Sequence, residues 1–167
     1  MLCTIWAFIS ALVEGGNNVK FIGDNFYSHQ PYTDELQRMG VEVLYGSWYA
    51  RHWEDWLKDN GQFLNVVLLS RPPIVKKYLK GVQQFTKARL FYYCHDLHFL
   101  REERRLQIPG EKAGPRSVKA IRNEELNLMR EMDMVLHCSH EEIAIIKQAL
   151  PGKDVRYVPP YVIPEFI

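Results

Sequence analysis

Residues 64–94 read LNVVLLSRPPIVKKYLKGVQQFTKARLFYYC, and the alternation inside this stretch decides the fold. Leu64 to Leu69 is a near-continuous apolar run, the pattern of a strand covered on both faces. Arg71-Pro72-Pro73 makes the turn, and Pro73 suits a first helical position, where its missing N–H costs nothing. Val75, Tyr78, Leu79, Val82 and Phe85 then recur at the three-four spacing of one helical face. Arg89 to Cys94 returns to a strand pattern. Strand, helix and strand in this order form the repeating unit of a parallel sheet.

The same alternation extends outward in both directions. After Cys94 comes a charge-dense segment, His95 to Arg105, and then a loop, Ile108 to Pro115, marked by Pro-Gly and Gly-Pro steps. A helix is expected from Arg116 to Glu131, with Val118, Ile121, Leu128 and Met132 on its buried stripe. Met134 to Cys138 reads as a strand. Ser139 with Glu142 reads as a capping box for a helix whose inner face carries Ile143, Ile146 and Leu150. Val155 to Val158 is the last strand, and Pro159, Pro160 and Pro164 mark a domain edge. Upstream, strands are expected at Val19 to Gly23 and Val41 to Tyr45, with a short helix from Thr33 to Met39 between them. Ser47 is placed to cap a helix from Trp48 to Asp59, whose apolar face carries Tyr49, Trp53, Trp56 and Leu57.

These elements predict an α/β, Rossmann-like, doubly wound parallel sheet with helices on both faces, spanning residues 1–158, with a linker beginning at 159–167. One feature departs from that plan. Leu2, Ile5, Trp6, Ile9, Leu12 and Val13 follow a helical stripe ended by Gly15-Gly16, whereas a doubly wound fold opens with a central strand. Three readings stay open: a truncated chain, a natural short product with an altered sheet centre, or a strand at Leu2 to Ile9.

Composition narrows the function. Lys and Arg number 21 against 20 Asp and Glu, a formal net charge of +1, without the basic excess of a duplex nucleic-acid binder. The apolar fraction of 47% supports a packed core rather than disorder. Cys3, Cys94 and Cys138 form no CxxC pair and read as reduced thiols of a cytoplasmic protein. The apolar opening is interrupted at Glu14, short of the roughly 20 apolar residues of a membrane span. Membrane contact is therefore expected to be peripheral at most, at the inner face.

In open α/β sheets, ligands bind beyond the carboxyl ends of the strands. That rule selects Asp24, Asn25, Ser70, Arg71, the segment from His95 to Arg101, and Ser139. Within the segment, His95 directly follows a strand, and Asp96 and His98 share its loop. Asp96 reads either as an acceptor for sugar hydroxyls or as an Asx-type turn. The run from Arg101 to Arg105 reads as a solvated face with i,i+3 and i,i+4 ion pairs, or as a phosphate grip through Arg101 or Arg104. His95, Asp96 and His98 do not match the spacing of a zinc site, so no metal is expected.

The segments VKFIGDN, GVEVLYG, NVVLLSRP, ARLFYYCHDLHFLREERR, NEELNLMREMDMVLHCSHEE and VRYVPP occur in this order. Together they resemble bacterial glycosyltransferases of the GT4-like group, which build O-antigen and other surface polysaccharides. The resemblance implies a GT-B architecture of two Rossmann-like domains, of which this chain is the N-terminal, acceptor-side one. It implies a retaining transfer from a nucleotide sugar to a glycan or lipid-linked acceptor, with no bound metal and no cofactor beyond the donor. It makes His95 and Asp96 the candidates nearest the transferred sugar. Asp24, Asn25, Arg71, His98, Arg101, Arg104 and Ser139 become candidate substrate-binding residues. The donor domain is expected in cis or in trans, so the chain is not expected to transfer sugar alone. Pro160 stands where the family often has Asn, and the family's N-terminal Gly-rich loop has no counterpart. Self-association to complete the sheet is a further expectation.

Overall fold

A computed structural model describes residues 2–112 and 114–159, with side chains from Trp6 onward. The Cys3 side chain, Pro160 and all of the expected linker except Pro159 lie outside the described residues. The chain divides into two compact units, one ending at Asn60 and the other spanning Gly61–Pro159.

The first unit opens with helix α1 (Leu2–Glu14), so the strand reading of this segment does not hold. The helix ends as the glycines predict: Gly16 adopts φ +78° and donates its N–H to the Val13 carbonyl. Strand β1 (Lys20–Ile22), helix α2 (Tyr32–Arg38) and strand β2 (Glu42–Leu44) follow. The two strands pair in parallel, with Phe21 opposite Val43. Ile9 of α1 packs with Val19, Leu36 and Val41, and Trp6, Val13, Phe21, Met39 and Val43 close around them. Helix α3 (Ser47–Asn60) buries Trp56 and Leu57 and is kinked at His52. It starts one residue earlier than expected. Ser47 is already helical, and the Gly46 carbonyl accepts the Ala50 N–H, so Ser47 is not the cap.

The second unit carries a four-stranded parallel sheet in the order β3-β4-β5-β6. Its strands are β3 (Val66–Ser70), β4 (Arg89–Cys94), β5 (Met134–His137) and β6 (Val155–Tyr157). Helix α4 (Pro72–Phe85) joins β3 to β4, α5 (His98–Leu106) and α6 (Val118–Arg130) join β4 to β5, and α7 (His140–Ala149) joins β5 to β6. The chain is thus α/β, with parallel strands in sheets flanked by helices, although the strands fall into two sheets. The three crossovers of the second unit advance across the sheet in one direction. Right-handed connections therefore bring their helices to one face. The core beneath them contains Val75, Tyr92, Phe99, Met129, Val135 and Ile146. No helix among the described residues is long and apolar enough to cross a membrane.

Candidate functional site

Because the strands of the second unit are parallel, their carboxyl ends lie along one rim, and the segments that follow them share it. Ser70 ends β3 opposite Tyr93, and Cys94 ends β4 opposite His137. This register brings the Ser70 hydroxyl within 3.0 Å of His95 Nε2. The Tyr93 ring meets the His95 imidazole edge-on, with centroids 4.5 Å apart. Burial, and then the positive charge of Arg71, hold the His95 pKa below its ordinary value. The imidazole is therefore neutral at neutral pH, able to accept or donate a hydrogen bond.

Arg71 joins β3 to α4 with φ +71° and ψ 141°, a conformation that non-glycine residues rarely adopt. Pro72 follows at once as the first helical residue, one position earlier than the sequence suggests. Arg71 and His95 thus interact electrostatically across the ends of β3 and β4. Asp96 binds Arg101 across the next turn, with Nη1 to Oδ2 at 2.8 Å. His98 Nε2 lies 3.6 Å from the other Asp96 oxygen, and its Nδ1 lies 3.8 Å from Glu125. Ser139 caps α7 by accepting the Glu142 N–H at 3.3 Å. The Cys138 thiol donates to the His95 carbonyl at 3.2 Å, joining the β5 end to the same turn.

Two carboxylates hold this turn in place, Glu125, which the sequence reading does not single out, and Glu142, which it reads only as part of a capping box. Glu125 of α6 is 2% exposed, and its two oxygens accept the N–H groups of His98 and Phe99 at 2.9 and 3.0 Å. Burial raises its pKa, opposed by these two bonds and by His98. Glu142 of α7 accepts the Leu97 N–H at 2.7 Å. The first N–H groups of α5, which have no intrahelical partner, are thus satisfied by side chains from two other helices. The reciprocal half of the expected capping box is therefore absent. The Glu142 carboxylate reaches across to α5 instead of folding back on its own helix, because Leu97 offers it a donor there. His137 accepts the Ser139 N–H on Nδ1 at 3.0 Å. Its Nε2 comes within 3.1 Å of Glu142, close enough for electrostatic attraction but without the angles of a full hydrogen bond.

A spacing signal for Glu125 is present in the sequence. It falls on the stripe of Val118, Ile121 and Met132, and the buried face of α6 is Glu125, Leu126 and Met129 rather than Leu128. The charge run beyond is largely ion-paired, within itself and to α7. Arg105 binds Glu102 at 2.6 Å, and Arg104 binds Glu141 at 3.0 Å. Asp24 and Asn25 lie in the first unit, after β1. Asn25 shapes its own turn there by accepting the Tyr27 N–H and contacting His29. Trp48 of α3 is 51% exposed and stacks on His52, so it is not part of the buried aromatic face.

An open depression of about 580 Å³ lies at the amino ends of β5 and β6, lined by Arg130, Asp133, Lys153 and Asp154. Its charges already serve the fold: Lys153 donates to the Arg130 and Met132 carbonyls, and Asp133 accepts the Leu90 N–H. The polar groups with chemistry to offer are at the opposite end, on the rim. Among the described residues, no group of three or more His, Cys, Asp or Glu is placed to hold a metal ion.

No protein family, curated protein or solved structure matches this chain.

Proposed function

We propose that this chain is the acceptor-side half of a retaining GT-B glycosyltransferase. It holds a glycan or lipid-linked acceptor while a donor domain, in cis or in trans, supplies the nucleotide sugar. The single observation that carries the reading is the meeting of Ser70, His95 and the Asp96–Arg101 pair beyond the carboxyl ends of adjacent parallel strands. These groups are donors and acceptors suited to sugar hydroxyls. His95, Asp96 and Arg101 come from the HDLHFLREERR segment and Ser70 from NVVLLSRP, both among the segments that resemble the GT4-like group. His95, kept neutral by burial and by Arg71, hydrogen-bonds a hydroxyl next to the transferred sugar. Asp96, oriented by Arg101, accepts from a second hydroxyl. Such a protein works at the cytoplasmic side of a membrane when its acceptor is lipid-linked.

Thermal-shift titration of the chain tests this. A ligand that binds only the folded state raises stability by about 2.7 kcal/mol at one hundred times its Kd. Neutral glycans of the acceptor class are expected to raise the melting temperature saturably. UDP-, GDP-, dTDP- and CMP-sugars are expected to leave it unchanged. A saturable shift with any nucleotide sugar alone overturns the assignment to the acceptor side.

A further inference from the structure

Helix N-termini beyond parallel strands are ready-made anion sites, because free N–H groups and the helix dipole point at the ligand. The four-stranded sheet of this chain has three such termini at its carboxyl rim, on α4, α5 and α7. Each offers an anion less than a helix N-terminus ordinarily does, in a different way. At α4 the first two helical residues are Pro72 and Pro73, which carry no N–H. At α5 the N–H groups of Leu97, His98 and Phe99 are taken by Glu142 and Glu125. At α7 Ser139 accepts the Glu142 N–H, and Glu141 and Glu142 put negative charge in the first turn.

Two of the rim's three arginines are likewise engaged by carboxylates. Arg101 is bound by Asp96 and Arg104 by Glu141. Arg71 lies close enough to His95 to disfavour its protonation. The carboxylates Asp96, Glu125, Glu141 and Glu142 outnumber Arg71, Arg101 and Arg104. A phosphate arriving here meets carboxylates where N–H donors would otherwise be. A neutral hydroxyl-rich molecule still finds the Ser70 hydroxyl, the His95 imidazole and the exposed oxygens of Asp96.

We infer that this rim is selective for uncharged polyols and refuses phosphate, with Glu125, Glu142, Pro72 and Pro73 as the residues that set this specificity. The inference rests on the acceptor-side reading and deepens it: the portion of the acceptor bound at this rim is its neutral sugar, and any phosphate of a donor or lipid carrier lies elsewhere. It assigns Glu125 and Glu142 a second task besides positioning the turn, which is to occupy an anion site from within.

The test is a titration of the isotope-labelled chain with inorganic phosphate and pyrophosphate, followed by amide and imidazole NMR signals. In the wild type, the signals of residues 70–74, 95–101 and 139–142 are expected to stay in place, apart from shifts that sodium chloride at the same ionic strength reproduces. Glu142→Ala frees the Leu97 N–H, and Pro72→Ala restores a donor at α4. Each variant, shown to be folded by a cooperative melt, is expected to gain saturable phosphate binding at its own helix terminus. One charge-assisted hydrogen bond corresponds to an affinity gain of about ten-fold or more. Saturable phosphate binding at these residues in the wild type overturns the inference, as does a folded variant that gains none. A wild type that refuses phosphate and also refuses neutral glycans sinks the acceptor reading while leaving the closed helix termini standing.

Discussion

Glu125 and His137 are the residues whose removal or titration is felt first, because each is buried and polar. Glu125→Ala leaves the His98 and Phe99 N–H groups without their acceptors at a buried helix start. Each orphaned donor costs about 1–3 kcal/mol. Equilibrium denaturation is expected to show a loss in that range or above it. Glu125→Gln, which keeps one carbonyl acceptor, loses less and protects the start of α5 better in hydrogen exchange. His137 is fully buried, and burial holds its pKa below the ordinary 6.5. As pH falls, the unfolded chain takes up this proton before the folded one does. Stability is therefore unaffected above about pH 6.5 and declines below it. His95 is shifted in the same direction. Glu125, with a raised pKa, acts the other way, its ionised form being disfavoured in the folded state as pH rises above the ordinary carboxylate range. The unfolding free energy measured in urea is expected to fall as pH drops below about 6.5. His137→Asn keeps an acceptor for the Ser139 N–H and is expected to flatten that slope. An unchanged slope would remove His137 from the account.

At the scale of elements, close packing at Gly61 offers the sharpest test. A Cβ at this position would stand 2.2 Å from the Phe85 carbonyl oxygen and 2.9 Å from the Thr86 methyl. The contact is with backbone, so the 3-10 turn Gly61–Phe63 and the end of α4 must separate. Gly61→Ala is expected to lower stability by about 1–3 kcal/mol, read from the shift of the denaturation midpoint at constant m-value. The same elements show what was legible in the sequence. Strand β4 runs from Arg89 to Cys94, as its apolar run implies, because both its neighbours pair with it and its period is unambiguous. Strands β1 and β2 are shorter than their apolar runs, since a two-stranded pair satisfies fewer backbone groups. The two expected serine caps differ. Ser139 caps α7, but Ser47 does not cap α3, because local side-chain preference is outweighed by Gly46, whose φ of +98° sets the chain direction. His95 and Asp96 were legible because position after a strand is a topological fact. Glu125 was not, because its partner Phe99 lies 26 residues away and a glutamate on a helix reads as a solvated charge; Glu142 was legible only as a capping-box residue, because its partner Leu97 lies 45 residues away.

At the scale of the whole molecule, the decisive feature is the edge of the four-stranded sheet at β3. This strand pairs with β4 and with no other described strand. Its sequence, VVLLS, has neither the lysine nor the proline by which natural edges are guarded. Val66 and Leu68, which point to the same face, are 46% and 39% exposed, although their run reads as a strand covered on both sides. The three right-handed crossovers account for this, since they direct α4, α6 and α7 to one face. An apolar edge without lysine or proline is a template for pairing with a strand of another copy of the chain. Light scattering is therefore expected to show association that grows with concentration. Leu68→Lys places a charge on the exposed face without opening the core, and it is expected to keep a cooperative melt while restoring the monomer mass. A wild type that stays strictly monomeric at high concentration would mean that the edge is guarded by means other than charge or proline. Association through β3 runs along the side of the strands, whereas His95 and Asp96 lie beyond the end of β4 and Ser70 is the last residue of β3. The variant should therefore bind glycans as the wild type does, and a parallel loss of binding would place the acceptor site on the edge rather than on the rim.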